Sequence, residues 1–186
     1  MLSDFSFDIK EGERIAIVGD NGCGKTTLLK ILSGLLKTKN SVLFKGQKIE
    51  LFNKNELRRD ICSIFTWPIE ANFLDVKEYL GLVNESLYQE KLETKLIKEV
   101  LSKFKSEHIM NDYLHSLSDG QKQISKLARI AHHKGSLIIL DEPTSFLDMN
   151  KKRLLADFLI KKKTIIFSSH DESFIKQVAT RSIHIN

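Results

Sequence analysis

Cysteine is nearly absent, with two residues among 186, Cys23 and Cys62. Neither stands at metal-ligand spacing, and two thiols so placed build no disulfide framework, which excludes small secreted scaffolds held together by bridges. Long apolar runs are missing as well. No stretch approaches the ~18 residues of a membrane-spanning helix. The opening residues Met1-Leu2-Ser3-Asp4-Phe5 show no basic segment followed by an apolar core, so no secretory leader is expected and the cytosol is the expected compartment. No internal repeat or low-complexity tract stands out. The net charge is +5 with a pI near 9.1, and much of it sits in Lys151-Lys152-Arg153 and Lys161-Lys162-Lys163. No aromatic residues interleave with these lysines, so a solvated helix face and the turn after it are favoured over a track for anionic lipid or nucleic acid.

What is present is a soluble-type composition, 41% hydrophobic and 28% charged, in a chain long enough for a substantial core. Its most informative stretch is Gly19-Asp20-Asn21-Gly22-Cys23-Gly24-Lys25-Thr26-Thr27. This is G-x-x-x-x-G-K-T, a phosphate-binding loop. A ring of backbone N–H donors forms only where the chain curls tightly, and Gly22 and Gly24 allow that. Lys25 reaches phosphate as a point charge, and the Thr26 hydroxyl suits a magnesium ion. Ile15–Val18 before the loop reads as a buried strand. Thr27–Leu32 after it reads as a helix whose positive end faces the phosphates, ending near Ser33-Gly34.

The remaining pattern predicts an α/β chain. Phe5, Phe7 and Ile9 alternate with polar residues and predict a half-exposed opening strand. Val42–Phe44 and Ile49–Leu51, joined through 45–48, predict a small hairpin. Ile61–Phe65, Leu137–Leu140 and Thr164–Phe167 are continuous apolar runs, as expected of a parallel sheet covered on both faces. Between about 75 and 105 the spacing is helical, with Val76, Tyr79, Leu80 and Val83 on one stripe and Leu92, Leu96, Val100 and Phe104 on another. Two or three helices forming an inserted lobe are expected. Three strands then deliver chemistry at one end of the sheet: the phosphate loop, Asp141-Glu142 and His170. Asp141 is placed to hold magnesium, and Glu142 to accept a proton from an attacking water. Ser118 and Gln121 form a capping box before an amphipathic helix carrying Ile124, Leu127, Ala128 and Ala131. That helix start is also a second anion site, useful if it meets a nucleotide held by another copy of the chain.

In this order the motifs resemble the nucleotide-binding domain of ABC ATPases over nearly the whole chain. Gly19 to Thr26 matches the Walker A loop, Leu137 to Glu142 the Walker B strand and catalytic glutamate. Leu117-Ser118-Asp119-Gly120-Gln121 is similar to the L-S-G-G-Q signature, Ser145–Asp148 to the S-A-L-D loop, and His170 to the switch histidine. The resemblance implies a P-loop NTPase fold with a parallel core sheet, a small antiparallel β region and an inserted helical lobe. The expected organisation is one domain over 1–186, with the core in 1–66 and 117–186 and the lobe in about 67–116. It implies ATP and Mg2+ as cofactors, and Lys25, Glu142 and His170 as the catalytic residues. Gly19 through Thr27 together with Ser118, Gly120 and Gln121 would contact the nucleotide, and Thr26 and Asp141 the metal. It further implies a head-to-tail homodimer or pseudo-homodimer, coupled to a separate transmembrane permease subunit at the inner face of the membrane, with no nucleic-acid partner.

Three departures accompany the resemblance. Thr66 stands where the family has glutamine, Asp119 replaces the third signature residue, and the family's adenine-stacking aromatic falls before Met1, so weak selection between nucleobases is expected. Trp67 and Phe73 flank Thr66. They are read either as partly exposed at the docking place of a membrane subunit's coupling helix or, equally, as ordinary core aromatics. The alternatives to a transporter subunit are a soluble ABC ATPase acting on nucleic acid or ribosomes and a low-turnover regulatory module.

Overall fold

The computed structural model describes residues 6–39, 42–66, 73–162 and 164–185. Five parallel strands form the central sheet: β1 (Arg14–Val18), β4 (Ile61–Ile64), β5 (Leu137–Asp141), β6 (Thr164–Ser168) and β7 (Arg181–His184), in the order β4-β5-β6-β1-β7. Side chains alternate across a strand, and here both faces are apolar. Ile15, Ile17, Leu137, Ile139 and Ile166 enter one core, with Leu28 and Leu29 of α1 (Lys25–Leu32) and Leu57 of α2 (Lys54–Asp60). Ala16, Ile138, Leu140, Ile165 and Phe167 enter the other. That second face is covered by α5 (Asp119–His132), α6 (Met149–Leu159) and α7 (Glu172–Val178), with α3 (Val76–Tyr88) and α4 (Thr94–Lys103) beyond. The continuous apolar runs are thus strands buried on both sides.

Local chemistry sets several helix starts. Asn53, Asp75 and Ser118 each cap a helix through a reciprocal capping box with Glu56, Glu78 and Gln121. Such a box satisfies two backbone donors at once, so α2 begins sharply although its short apolar content gives little periodic signal.

Three expectations need correction. The hairpin is shorter than its apolar pattern suggests: β2 (Leu43–Phe44) pairs with β3 (Gln47–Lys48), and Ile49–Leu51 is a 3₁₀ turn. Lys45 and Gly46 both have positive φ, as a two-residue type I′ turn demands, so the chain reverses two residues earlier. Phe5 lies outside the described residues, and the segment 6–10 forms no strand; both edges of β1 are already taken by β6 and β7, and Phe7 and Ile9 pack onto the core. In α4 the buried stripe is Ile97, Val100, Leu101 and Phe104, while Leu96 is exposed. A repeat of four drifts around a helix of 3.6 residues per turn, and the 97-100-101-104 spacing stays on one face. The α3 stripe and the α5 stripe lie as read, with Val76, Leu80, Ile124, Leu127 and Ala128 buried. Trp67 lies outside the described residues, and Phe73 is 76% exposed, not a core aromatic.

Candidate functional site

The site gathers at the carboxyl ends of β1, β5 and β6, where ligands bind in sheets of this kind. After Val18 the loop curls through Gly22 and Gly24, at φ 84° and 104°. Gly19 is required for another reason: a Cβ there would sit 2.2 Å from the Ile185 carbonyl oxygen and 2.7 Å from Cys23 Sγ. Gly24 is the N-cap of α1 and no side chain caps that helix, so its first N–H groups are open to an anion. Lys25 is buried and its Nζ donates to the carbonyls of Gly19 (2.7 Å) and Asp20 (2.9 Å), which places one ammonium in the middle of the loop. A third ammonium proton remains for a ligand. Asp20, Asn21 and Thr27 are exposed around the rim, and Cys23 is half-buried.

Asp141 is the hub beneath this loop. Only 3% exposed, its carboxylate accepts from three hydroxyls in three separate parts of the chain. Thr26 Oγ1 lies 2.9 Å from Oδ2 and 3.1 Å from Oδ1, Ser168 Oγ lies 2.8 Å from Oδ1, and Thr66 Oγ1 lies 3.4 Å from Oδ2. Thr66, two residues beyond the end of β4, therefore reaches the carboxylate, at the long limit of a hydrogen bond. No group of three or more His, Cys, Asp or Glu gathers to hold a metal among the described residues. One carboxylate beside a hydroxyl, with phosphate oxygens and water filling the rest, is the donor set that suits Mg2+. The residues present fit that ion.

Glu142 ends the strand at φ 46°, in the left-handed region that side chains with a Cβ avoid. Such a residue costs about 1–3 kcal/mol and persists only where its surroundings enforce it. The turn bond from Ser145 N–H to the Glu142 carbonyl (3.1 Å) is one such constraint. The Glu142 side chain is half-buried, with Oε1 3.3 Å from His170 Nε2. Burial pushes its carboxyl pKa up, and the neighbouring His170 opposes that. A raised pKa makes the carboxylate a stronger base. His170 itself is exposed, on a loop tied down by Asp171. Asp171 caps α7 and pairs with Lys152 at 2.7 Å. That hydrogen bond, with those from Phe174 N–H and Ser173, lowers its carboxyl pKa to about 2.

Ser118 and Gln121 lie elsewhere on the chain's surface. Their side chains serve each other's backbone, Gln121 N–H to Ser118 Oγ at 3.3 Å and Ser118 N–H to Gln121 Oε1 at 2.9 Å. No hydrogen bond among the described residues joins Ser118, Gly120 or Gln121 to the phosphate loop. The structure brings together Lys25, Thr26, Thr66, Asp141, Glu142 and His170, and leaves the helix-start group to face outward. That group is braced from behind: Gln123 Nε2 donates to the Pro143 carbonyl at 3.1 Å, and Gly120 lies against the backbone of Phe146. Asp119 is exposed in the first turn of α5. Ser168 belongs to no motif; its one signal in the sequence is a polar residue closing the apolar run Thr164–Phe167.

Comparison with known proteins agrees with this geometry. The family profile described as ABC transporter matches residues 2–145. A putative ABC transporter ATP-binding protein of Archaeoglobus fulgidus is 32% identical, across 100% of this chain and 79% of its own length. The energy-coupling factor transporter ATP-binding protein EcfA of Methanocaldococcus jannaschii is 36% identical, across 97% of this chain and 68% of its own. Among solved structures, a dimeric ATP-binding cassette in a post-hydrolysis state with ADP and Pi superposes with a TM-score of 0.84 at 28% identity, covering 97% of this chain and 84% of that one.

Proposed function

The chain belongs to the ABC transporter family of ATP-binding proteins, and from that membership we propose that it is the ATP-hydrolysing subunit of a membrane transporter. The observation that carries the reading is the cluster beneath the phosphate loop: Thr26 bonded to Asp141, with Glu142 next in the chain and His170 3.3 Å from it.

The open N–H groups of α1 and the Lys25 ammonium bind and orient the phosphates. Thr26 and Asp141 would hold Mg2+, which supplies charge neutralisation at the β- and γ-phosphates. Glu142 takes the proton of the attacking water, its basicity raised by partial burial. His170, with Nε2 3.3 Å from Glu142 Oε1, is placed to pair with that carboxylate when its ring is protonated. The Ser118 hydroxyl and the start of α5 meet the γ-phosphate held by a second copy, in a head-to-tail homodimer or pseudo-homodimer. This is why these groups face outward from their own chain. The whole of 1–186 acts as one ATPase unit, with a separate permease subunit as partner and the inner face of the membrane as the working place. Among the described residues no helix is long and apolar enough to cross a membrane.

Glu142→Gln is the test. The amide cannot accept the water's proton, and loss of a general base costs about 10²–10⁴-fold in turnover. ATP binding is expected to persist, with the ATP-bound dimer accumulating on size exclusion. Turnover above about a tenth of wild type would refute the assignment of Glu142.

A further inference from the structure

Ser168 belongs to none of the motifs, yet its single hydroxyl touches both members of the acidic pair. We propose that Ser168 is a positioning residue for hydrolysis, clamping the Asp141 carboxylate and the Glu142 backbone in one relative arrangement. The inference rests on the ATPase reading and deepens it.

Asp141 and Ser168 are register partners on parallel strands, so their side chains project to the same face. Ser168 Oγ lies 2.8 Å from Asp141 Oδ1 and accepts the Glu142 N–H at 3.0 Å. A hydroxyl has one proton, and Glu142 N–H can only donate, so the Ser168 proton points at Oδ1. Oδ1 is thereby engaged, and Oδ2 is left toward Thr26 and Thr66. The same oxygen replaces the acceptor that a continuing strand would have offered Glu142. It thus ends β5 and supports the left-handed turn, φ 46°, that sends the glutamate side chain toward His170. Ser168 is 0% exposed, so no bulk water stands ready to substitute for the hydroxyl. Ser169, by contrast, spends its hydroxyl on the Asp171 N–H and has no link to the acidic pair.

The test pairs a measurement on the nucleotide-free chain with kinetics. Ser168→Ala removes the acceptor of the Glu142 amide, and hydrogen exchange at that amide, read by NMR, is expected to speed up by about tenfold or more. Partners that orient a catalytic or metal-binding group typically matter about 10- to 100-fold, and kcat is expected to fall by that much while the KM for ATP stays within about threefold. Ser168→Thr keeps the hydroxyl and is expected to restore both the protection and most of kcat. If the alanine variant does not fold, Ser168→Cys, which keeps the volume and weakens both bonds, takes its place with the same expectation. Unchanged exchange at Glu142, wild-type kcat, or loss of nucleotide affinity in step with kcat would each overturn the proposal, as would a folded threonine variant as impaired as alanine. A wild-type chain that hydrolyses no ATP counts against the ATPase reading instead, and the exchange measurement then still decides the clamp.

Discussion

Gly120→Ala is expected to destabilise the fold at the point where the start of α5 meets the loop after Glu142. A Cβ on Gly120 would lie 2.6 Å from the Phe146 carbonyl oxygen. Ordinary contact begins near 3.4 Å, so the two backbones must part by roughly 0.8 Å. If α5 yields, the Ser118–Gln121 capping box loosens, and a cap is worth about 0.5–2 kcal/mol. If the loop yields, it drags Leu147, which is buried, and the turn bond between Ser145 and Glu142. Overpacking of this kind costs about 1–3 kcal/mol. Against it stands the usual gain of replacing glycine by alanine in a helix, about 0.5–1 kcal/mol. At the middle of both ranges the clash wins, leaving a net loss of roughly 1 kcal/mol. Gly81→Ala supplies the control, because a Cβ in the middle of α3 meets nothing within 4 Å. Urea denaturation of both variants, with the slope unchanged, separates the terms: Gly81→Ala should move the midpoint up and Gly120→Ala down. Gly120→Ala as stable as Gly81→Ala would refute the close approach.

Two further outcomes follow from the same geometry. Lys25→Ala should weaken ATP binding while Ser118→Ala chiefly lowers turnover. Mixing the two should restore activity, because one site of the mixed dimer keeps both residues; no recovery with heterodimers shown to form would argue against the head-to-tail arrangement. Asp171 has its pKa lowered to about 2, chiefly by the Lys152 hydrogen bond, so its contribution to stability is present above the usual 3.8 and lost as pH falls toward the lowered value. Asp171→Ala should therefore cost about 0.5–2 kcal/mol near neutrality through the lost cap of α7, and less as the pH drops below about 4. Urea midpoints across that range check it, and a cost independent of pH would remove the charge from the explanation.

The phosphate loop, the acidic pair and His170 were legible because each is a local pattern: a strand, a tight turn or a polar pair, then a helix. The structure places all three at one end of the sheet, as strands of continuous apolar residues require. In the hairpin the apolar residues of Ile49–Leu51 suggest a second strand, whereas positive φ at Lys45 and Gly46 decides where the chain reverses. In α4 a four-residue repeat drifts off the buried face of a helix, so Leu96, expected on the stripe, lies at the surface. Thr66 and Ser168 show a different limit. Thr66 reads as a loss when compared along the chain, since it is shorter than the glutamine of the family. In space it is one of three hydroxyls on Asp141, from α1, from β6 and from the segment just after β4, joined by the pairing of β4 and β6 with β5 and by the seating of α1 above them. Register is the information a linear pattern lacks. Once β5 and β6 align Asp141 with Ser168, a serine without a motif is bonded both to the Asp141 carboxylate and to the backbone of Glu142. A substitution there is expected to act on hydrolysis while leaving the phosphate grip of Lys25 intact, because Lys25 is fixed by carbonyls of its own loop and not by the sheet.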